Sequence, residues 1–353
     1  MKHALVLGST GVIGGSIVKQ LLNEGEWRVT CVNRSGTAPQ GADALALDIL
    51  DDKSFKAALK SMPAVTHLFY AAYQPRSSRF LEIEPNLDML RRAIDLAEVH
   101  AGSLQRVVLI TGGKYYGLQW GAIKTPARET DPRHLAPNFY YQQHDHLVER
   151  SIAGGWSWSH LIPPYVTGYS ERAPMNLVMT LGVLGTLSRA QKVPLRFPGT
   201  AAAWNALHHI ADADQIAAAA CWASTSENAG NEIFNIANGD PSRWKNTWAV
   251  LARYFDMEMA DPIPVPLDMV PEAFGDLWKS ISLEQGLVQN DIGRLVNWQW
   301  AHYMFNVAFS NDVLFETGKI RRAGFHQCLD TETTLLARFD ELVARKLIPD
   351  VSR

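Results

Sequence analysis

The 353-residue sequence has little of what marks membrane, secreted or nucleic-acid-binding proteins. Its apolar runs are broken well short of the ~20 residues that a membrane-spanning helix requires. The three cysteines, Cys31, Cys221 and Cys328, are odd in number and far apart, which argues against a disulfide framework. A net charge of −3 gives no broad attraction to nucleic acid or to an anionic membrane. Since no signal-peptide pattern opens the chain, we expect a cytoplasmic protein.

The residues that are present are typical of a globular α/β protein, with 47% hydrophobic and 20% charged residues. Short apolar segments alternate with amphipathic ones through roughly the first 170 residues. Strands are predicted at Ala4–Leu7, Arg28–Val32, His67–Ala71, Arg106–Ile110 and Trp158–Ile162, and helices at Val12–Asn23, Lys53–Lys60, Leu87–His100 and Phe139–Ala153. This alternation predicts a Rossmann-type, doubly wound parallel sheet.

Changes in composition divide the chain into two expected units. Residues 1–168 form the predicted nucleotide-binding domain, and residues 204–238 return to it with a helix at Asp212–Ala223 and a strand at Glu232–Ile236. Residues 169–203 and 239–353, rich in Met, Leu and Trp, form a predicted smaller, mainly helical substrate lobe. The Leu/Met-rich segment 175–188 is a candidate interface helix, so a homodimer is a possible assembly.

A glycine-rich loop directly follows the first predicted strand. The segment GSTGVIG places Gly8, Gly11 and Gly14 at a Gly-x-x-Gly-x-x-Gly spacing, immediately before a predicted helix. Such a loop lets backbone N–H groups approach a pyrophosphate, and the helix N-terminus adds favourable charge. Within a βαβ pattern the loop predicts a dinucleotide site. The alternative is a tight turn that binds nothing.

The end of the second predicted strand indicates which nicotinamide cofactor fits. Enzymes that use NAD usually place Asp or Glu there, but this chain has Asn33, Arg34 and Ser35. Because a guanidinium pairs with a 2′-phosphate in a bidentate fork, these residues favour NADPH. The alternative is that Arg34 is an ordinary surface residue. We expect Asp48 and Ile49, after a short third strand, to lie along the adenine.

A tyrosine-bearing helix lacks the lysine that usually accompanies such a tyrosine. In PNFYYQQHDHLVE, His144 stands four residues after Tyr140 and Asp145 four residues after Tyr141, where Tyr-x-x-x-Lys would be typical of a short-chain dehydrogenase. A lysine, Lys114, occurs in VVLITGGKYYG, just past the preceding strand. Since that strand end faces the cofactor crevice, Lys114 is expected to replace the missing lysine. The alternative is a solvent-exposed loop lysine.

These motifs resemble a known family. TGGKYYG and PNFYY are similar to the TGxKHYxG and NFYY motifs of progesterone 5β-reductase and iridoid synthase, which are atypical extended short-chain reductases that use NADPH. Further matching stretches are GSTGVIG, THLFYAAY, SERAPMNLVMTL, LRFPGTAAAW, ADADQIA and NEIFNIANGDPSRWKNTW. The resemblance runs in order from the N-terminus to about residue 248, and the last quarter of the chain matches only loosely.

The resemblance implies a role for each matching residue. Tyr140 would be the catalytic tyrosine and Lys114 its partner, while GSTGVIG would bind pyrophosphate and Arg34 the 2′-phosphate. Three positions depart from the family pattern. Tyr115 replaces its histidine, Ile162-Pro163-Pro164-Tyr165 replaces Arg-Pro-Gly-Asn, and Tyr73 stands where Trp is common. These departures leave the cofactor chemistry in place and change the surroundings of the substrate.

The expected site is therefore large. Cofactor contacts are predicted at Gly8, Thr10, Gly11, Val12, Ile13, Gly14, Asn33, Arg34, Ser35, Asp48, Ile49, Ala71, Ala72, Thr111, Lys114, Tyr140 and Val166. Substrate-pocket residues are predicted at Tyr73, Tyr115, Met175 and Tyr303, and Trp278 and Phe305 are further candidates with an ordinary core role as their alternative. No metal is expected, because the side chains of His144 and His146 diverge by about 200° on a helix.

The sequence thus predicts an NADPH-dependent reductase of the C=C bond of small, apolar α,β-unsaturated carbonyl compounds. Hydride would add to the β-carbon, and Tyr140, acidified by Lys114, would stabilise the enolate oxygen. A carbonyl reductase or an epimerase-like enzyme would use the same residues. A protein that binds NADP as a sensor, without turnover, is a further alternative.

Overall fold

A seven-stranded parallel sheet forms the centre of the molecule. The computed structural model describes residues 2–135, 137–170, 173 and 175–351. Its strands are β1(Lys2–Leu7), β2(Trp27–Asn33), β3(Asp43–Ala46), β4(His67–Tyr70), β5(Arg106–Ile110), β6(Ser157–Ile162), β7(Tyr165–Thr167), β8(Leu195–Arg196), β9(Leu207–Asp212), β10(Glu232–Asn235), β11(Pro241–Arg243) and β12(Met259–Ala260). The central sheet has the order β10-β6-β5-β4-β1-β2-β3.

Helices connect and cover these strands. They are α1(Val12–Glu24), α2(Asp52–Ser61), α3(Arg79–Ala97), α4(Phe139–Gly154), α5(Leu177–Ala190), α6(Ala201–Asn205), α7(Ala213–Thr225), α8(Trp244–Tyr254), α9(Val270–Gln285), α10(Ile292–Leu295), α11(Trp298–Asn306), α12(Gly318–Arg322) and α13(Thr331–Ala344). Short 3-10 turns lie at Gly113–Tyr116, Leu118–Trp120, Glu227–Ala229, Leu267–Met269 and Ala308–Ser310. Of the stretch SERAPMNLVMTL, residues 171, 172 and 174 lie outside the described residues.

The strand order reverses at the centre of the sheet. From β1 the chain runs through β2 to β3 on one side, and then crosses back to β4, β5 and β6 on the other. The strands are nearly continuous runs of buried residues, as a sheet covered on both faces requires. In such sheets ligands bind beyond the carboxyl ends of the strands, where the order reverses. Here that point lies between β1 and β4.

Two hydrophobic clusters cover the two faces of the central sheet. One cluster joins the buried sides of α1 and α7 to the sheet, including Ile17, Leu21 and Ile216. The other joins α3 and α4 to the opposite face, including Leu90, Ile94 and Leu147. Helices therefore cover both faces of the sheet, as a doubly wound topology requires.

A third cluster, rich in aromatic residues, holds the remaining helices together. At its centre the rings of Phe197, Trp244, Trp248, Phe305 and Phe309 lie 5.2 to 6.0 Å from their neighbours. Helices α5, α8, α9, α11 and α13 contribute to this cluster. Residues of the predicted nucleotide-binding segments, among them Tyr141, Tyr165 and Ile210, also belong to this cluster, so it joins the later helices to the rest of the fold.

Buried polar groups tie these parts to each other. The side chain of Asp212 is fully buried at the end of β9 and accepts hydrogen bonds from Arg338 of α13 at 2.5 and 3.0 Å. The Asn235 amide, also fully buried, donates to the carbonyl oxygens of Ala127 and Glu316. Because unpaired buried polar groups are costly, these bonds couple the central sheet to the later segments.

Helix α3 begins eight residues earlier than predicted, at Arg79 instead of Leu87, and ends at Ala97 instead of His100. Pro85 lies inside the observed helix, although proline lacks the N–H that an interior helix position donates. The carbonyl that loses this bond belongs to Leu81, which is exposed and therefore open to water. Ser78 caps the helix by accepting a hydrogen bond from Leu81 N. The helix therefore begins at this cap and continues through Pro85.

Candidate active site

The glycine loop brings β1, α1 and the end of β4 into close contact. Gly8 has a φ of 79°, and a Cβ atom there would lie 2.6 Å from the carbonyl oxygen of Ala71. A Cβ atom at Gly14 would lie 2.1 Å from the carbonyl oxygen of Gly8. Side chains at these two positions would therefore collide with backbone. The result is a strand-to-helix turn with bare backbone at the point where the sheet order reverses.

The N-terminus of α1 carries no side-chain cap. Gly11 occupies the cap position, and no acidic residue lies in the first turn. The N–H groups of Val12, Ile13 and Gly14 have no carbonyl partner within the helix, as in the first turn of any α-helix. An uncapped N-terminus with positive partial charge suits a pyrophosphate. A cleft of about 590 Å³ runs along this loop, lined in part by Ser9, Thr10 and Gly11.

The end of β2 leaves one cationic side chain available. Arg34 is exposed, and its guanidinium has no ion pair or hydrogen bond within the described residues. The side chain of Asn33 is buried and used locally, since its amide donates to Ser9 Oγ at 3.1 Å and to Thr37 O at 2.8 Å. Ser35 Oγ donates to Asn33 Oδ1 at 2.8 Å. Asn33 therefore holds the loop in shape, while Arg34 remains free for an anion.

The other predicted cofactor residues are spread along the same edge of the molecule. Ala71 and Ala72 follow β4, Thr111 follows β5, and Val166 lies in β7. Asp48 is exposed and accepts from Leu50 N, whereas Ile49 is buried in the core. The hydroxyl of Thr111 points into the fold, where it lies 2.7 Å from His160 Nε2. Only the backbone of Thr111 is thus left for a ligand.

Tyr140 stands in the first turn of α4 and reaches the end of β5. Asn138 begins the helix, and its side chain accepts from Tyr140 N at 3.2 Å. A Cβ atom at Gly112 would lie 3.6 Å from Tyr140 Oη, so the hydroxyl sits directly beside this glycine. Within the described residues the hydroxyl has no hydrogen-bond partner. Burial, with a smaller effect of Glu82, raises the pKa of Tyr140 above its ordinary value.

Lys114 lies in the 3-10 turn after β5, but it is not bonded to Tyr140. Its Nζ donates to Tyr73 Oη at 3.0 Å and lies 3.7 Å from Glu82 Oε2. Its carbonyl oxygen accepts from Asn138 Nδ2 at 2.6 Å. The expected acidification of Tyr140 by Lys114 is therefore wrong for this structure. Lys114 lies at the expected edge of the sheet, but its ammonium is paired with the Glu82 carboxylate and not with Tyr140.

Glu82 was not predicted from the sequence, although a signal for it exists. It is 7% exposed in the first turn of α3, on the same helical stripe as Asn86 and Leu90, which are fully buried. The i, i+4 spacing of these residues places a carboxylate on a core-facing stripe. Placing the start of the helix at Leu87 hid this pattern.

The predicted substrate-pocket residues do not share one environment. Tyr73 is partly buried and bonded to Lys114, and Met175 and Tyr303 are partly buried. Tyr115 points inward, and its ring lies 5.2 Å from the ring of Tyr141 and 5.3 Å from that of His160. It is therefore a core residue and not pocket lining.

Trp278 and Phe305 are also core residues, because both are 0% exposed. In addition, Trp278 Nε1 donates to Gln289 O.

Among residues 2–135, 137–170, 173 and 175–351 there is no cluster of three or more His, Cys, Asp or Glu side chains that would hold a metal ion. In the same part of the chain, no helix has the length and apolar character needed to cross a bilayer.

Comparison with known proteins decides the family. A family model described as a PRISE-like Rossmann-fold domain matches residues 40–349. The chain belongs to this family. It is 33% identical to the (S)-8-oxocitronellyl enol synthase of Camptotheca acuminata, over 98% of this chain and 93% of that protein. It is 29% identical to the 3-oxo-Delta(4,5)-steroid 5-beta-reductase of Arabidopsis thaliana, with the same coverage of 98% and 93%.

Solved structures confirm the fold of this PRISE-like protein. The UDP-N-acetylglucosamine 4-epimerase from Bacillus cereus superposes with a TM-score of 0.67 at 12% identity, covering 98% of this chain and 97% of the other. The predicted family resemblance and the Rossmann-type, extended short-chain dehydrogenase fold are therefore both confirmed.

Proposed function

We propose that this protein is an NADPH-dependent reductase of the C=C bond of α,β-unsaturated carbonyl compounds. The observation that carries the proposal is the Tyr140 hydroxyl, which stands at the carboxyl edge of the sheet without a hydrogen-bond partner in the described residues. Its raised pKa keeps the phenol protonated at neutral pH. A protonated, unpartnered phenol is suited to donate a hydrogen bond to a carbonyl oxygen.

The residues of the chain fit a nicotinamide dinucleotide. Gly8 and Gly14 provide a loop that side chains would fill, and the free N–H groups of α1 would hold the pyrophosphate. Arg34, exposed and without an ion pair in the described residues, would hold the 2′-phosphate of NADPH. When bound, this cofactor supplies the hydride.

Tyr140 would act on the substrate oxygen. As hydride reaches the β-carbon of the substrate, the C=C electrons move toward the carbonyl and leave negative charge on its oxygen. The hydrogen bond from Tyr140 strengthens as this charge develops, which lowers the barrier. The α-carbon then takes a proton from water, so that one hydride and one proton are added in total. Because Tyr140 keeps its proton, this role does not require the direct Lys114 contact that a proton shuttle would need.

The names of two relatives support this chemistry. One is named as the synthase of an enol, and the other as a 5-beta-reductase of 3-oxo-Delta(4,5)-steroids. In the second substrate, carbon 5 is the β-carbon of the enone. An enol is what remains when hydride has added to the β-carbon and the oxygen has been protonated. Conjugate addition of hydrogen would account for both products, and in this way the two names support the proposal.

A small enone tests the proposal directly. NADPH oxidation is followed with 2-cyclohexenone, and the product is identified by mass spectrometry. Cyclohexanone is the expected product. The allylic alcohol would contradict the proposal in favour of carbonyl reduction. Tight NADPH binding without oxidation of this or larger enones would instead favour the sensor.

Arg34 tests the cofactor preference. Since hydrogen bonds to charged groups contribute about 1.5–3 kcal/mol, Arg34→Ala should raise KM for NADPH by roughly 10- to 100-fold and leave KM for NADH unchanged. The matched control is Arg28→Ala, because Arg28 is half exposed and already paired with Asp43. Equal changes in KM for both cofactors would show that Arg34 does not read the 2′-phosphate.

A further inference from the structure

A carboxylate, a phenol and an amine form a connected group behind the proposed active site. Tyr73 Oη donates to Glu82 Oε1 at 2.5 Å and accepts from Lys114 Nζ at 3.0 Å. The Lys114 ammonium also lies 3.7 Å from Glu82 Oε2, so the carboxylate contacts the lysine directly and through the phenol. The side chains of Glu82 and Lys114 are 9% and 33% exposed, respectively. The pair is thus largely shielded from water.

Neighbouring residues hold this group in a fixed geometry. The loop after Tyr73 is clamped to α3 because Asn86 bonds both the N–H and the carbonyl oxygen of Gln74, at 2.8 and 2.9 Å. The ring of Tyr73 is stacked on that of Phe139, with centroids 5.8 Å apart. On the other side, Asn138 binds the Lys114 carbonyl. Each member is therefore positioned by a separate element of the fold.

The groups around Lys114 act on its pKa in opposite directions. Tyr73 of the loop after β4 and Tyr140 of α4 are both neutral phenols, since burial raises the pKa of each. Burial lowers the pKa of Lys114, and the positive charge of Arg79 of α3 lowers it further. Glu82 opposes this effect. Within the described residues, its carboxylate is the group that lies within 4.0 Å and compensates the ammonium.

We propose that Glu82 and Tyr73 are positioning residues for the proposed reaction, because the Glu82 carboxylate pairs with the Lys114 ammonium at the sheet edge and the Tyr73 hydroxyl bridges the two. This inference rests on the proposed function. In it the ammonium supplies positive charge near the developing enolate, and Glu82 acts on the reaction solely through Lys114. Tyr73, the aromatic residue after β4, thereby links the carboxylate of Glu82 to the ammonium of Lys114.

The pH dependence of turnover distinguishes this role from a purely structural one. Lys114 contributes while it is protonated, so activity declines as the pH rises through its pKa. Removing an opposite charge at this distance lowers a lysine pKa by about 1–3 units. In Glu82→Gln the alkaline limb of kcat/KM should therefore move at least about one unit toward neutral pH, with roughly a tenfold loss per unit on the alkaline side. Glu84→Gln is the matched control, because Glu84 is exposed on the same helix and pairs with Arg91.

A second measurement follows Lys114 itself and does not depend on turnover. The full-length protein is labelled with acetic anhydride over a range of pH values, and the peptide carrying Lys114 is quantified by mass spectrometry. Glu82→Gln should shift the labelling midpoint to lower pH, and Glu82→Asp, which keeps the charge at a greater distance, should shift it less in the same direction.

An unchanged midpoint in folded Glu82→Gln would overturn the proposal, and so would a shift of equal size in Glu84→Gln. If Glu82→Gln does not fold, Glu82→Asp decides by the same criterion. A shifted midpoint in a protein that reduces no enone would retain the charge support and reject the proposed function. Enone reduction in which the alkaline limb of Glu82→Gln does not move would support the proposed function and reject the charge support from Glu82.

Discussion

Two helices, α1 and α4, begin at the same edge of the central sheet, but only α4 has a side-chain cap at its N-terminus. Helix α1 is preceded by Gly11, which offers no side chain to its free N–H groups. Helix α4 is preceded by Asn138, whose side-chain amide accepts from Tyr140 N and donates to the carbonyl oxygen of Lys114. One terminus is therefore open to an external anion, while the other is closed by the protein itself.

The difference separates binding from positioning. An uncapped N-terminus costs stability that an external anion can restore, so α1 is suited to hold a ligand. At the capped end of α4, the Asn138 side chain instead joins the 3-10 turn that carries Lys114 to the first helical turn, which carries Tyr140. The three predictions below test whether the two ends are specialised in this way.

The largest effect is expected at the open end. Gly14→Ala would place a Cβ atom 2.1 Å from the Gly8 carbonyl oxygen, which backbone cannot avoid without moving α1. We expect a loss of about 3 kcal/mol or more in unfolding free energy, measured by urea denaturation, together with loss of NADPH binding. Gly15→Ala is the control, because its Cβ meets Ser9 O at an ordinary 3.5 Å and alanine favours the helix. If both variants bind NADPH equally, the close approach is unimportant.

A smaller but purely functional effect is expected from Tyr140→Phe. Loss of a hydrogen bond to the developing oxyanion should lower kcat by about 10²- to 10³-fold, while NADPH affinity and stability stay unchanged. Tyr141→Phe should behave oppositely, because the Tyr141 hydroxyl bonds Tyr115 O and His134 N at 2.7 and 2.8 Å. It should lower the midpoint of thermal unfolding with little effect on kcat. Full activity in Tyr140→Phe would exclude the proposed mechanism.

The smallest effect is expected from the cap of α4. Asn138→Ala should cost about 0.5–2 kcal/mol of stability, as removal of an N-cap residue usually does. Because Asn138 also binds the Lys114 carbonyl, kcat/KM should fall roughly tenfold as well. Asn297→Ala removes the comparable cap of α11, which accepts from Trp300 N, and should cost stability alone. Equal kcat/KM in Asn138→Ala and Asn297→Ala would show that Asn138 only caps its helix and does not position Lys114.

The sequence was most informative where local chemistry decides the structure. The alternation of apolar and amphipathic segments predicted the parallel sheet, and β5 was predicted with its observed bounds, Arg106–Ile110. The glycine spacing predicted a bare turn, because close approach of backbone to backbone depends on three residues that lie near each other in the chain.

The partner of Lys114 could not be predicted in the same way. Lys114, Tyr73 and Glu82 come from three segments that only the folded sheet brings together. The predicted start of α3 at Leu87 left Glu82 outside the helix, so the buried position of Glu82 was not predicted. Asn33 shows a similar limit, since its amide is used by Ser9 and Thr37 and not kept for a ligand. A periodic pattern can indicate that a polar residue is buried, but it does not indicate which side chain that residue will pair with.

The ion pair between Asp212 and Arg338 has a consequence for the order in which the molecule folds. The two residues are 126 positions apart, and Arg338 comes second. While the chain emerges from the ribosome, β9 and α7 are synthesised well before the arginine that neutralises the buried carboxylate between them. A buried charge without its partner is strongly destabilising. The sheet can therefore assemble early, but we expect the end of β9 to become fixed only after α13 has been synthesised and has packed against it.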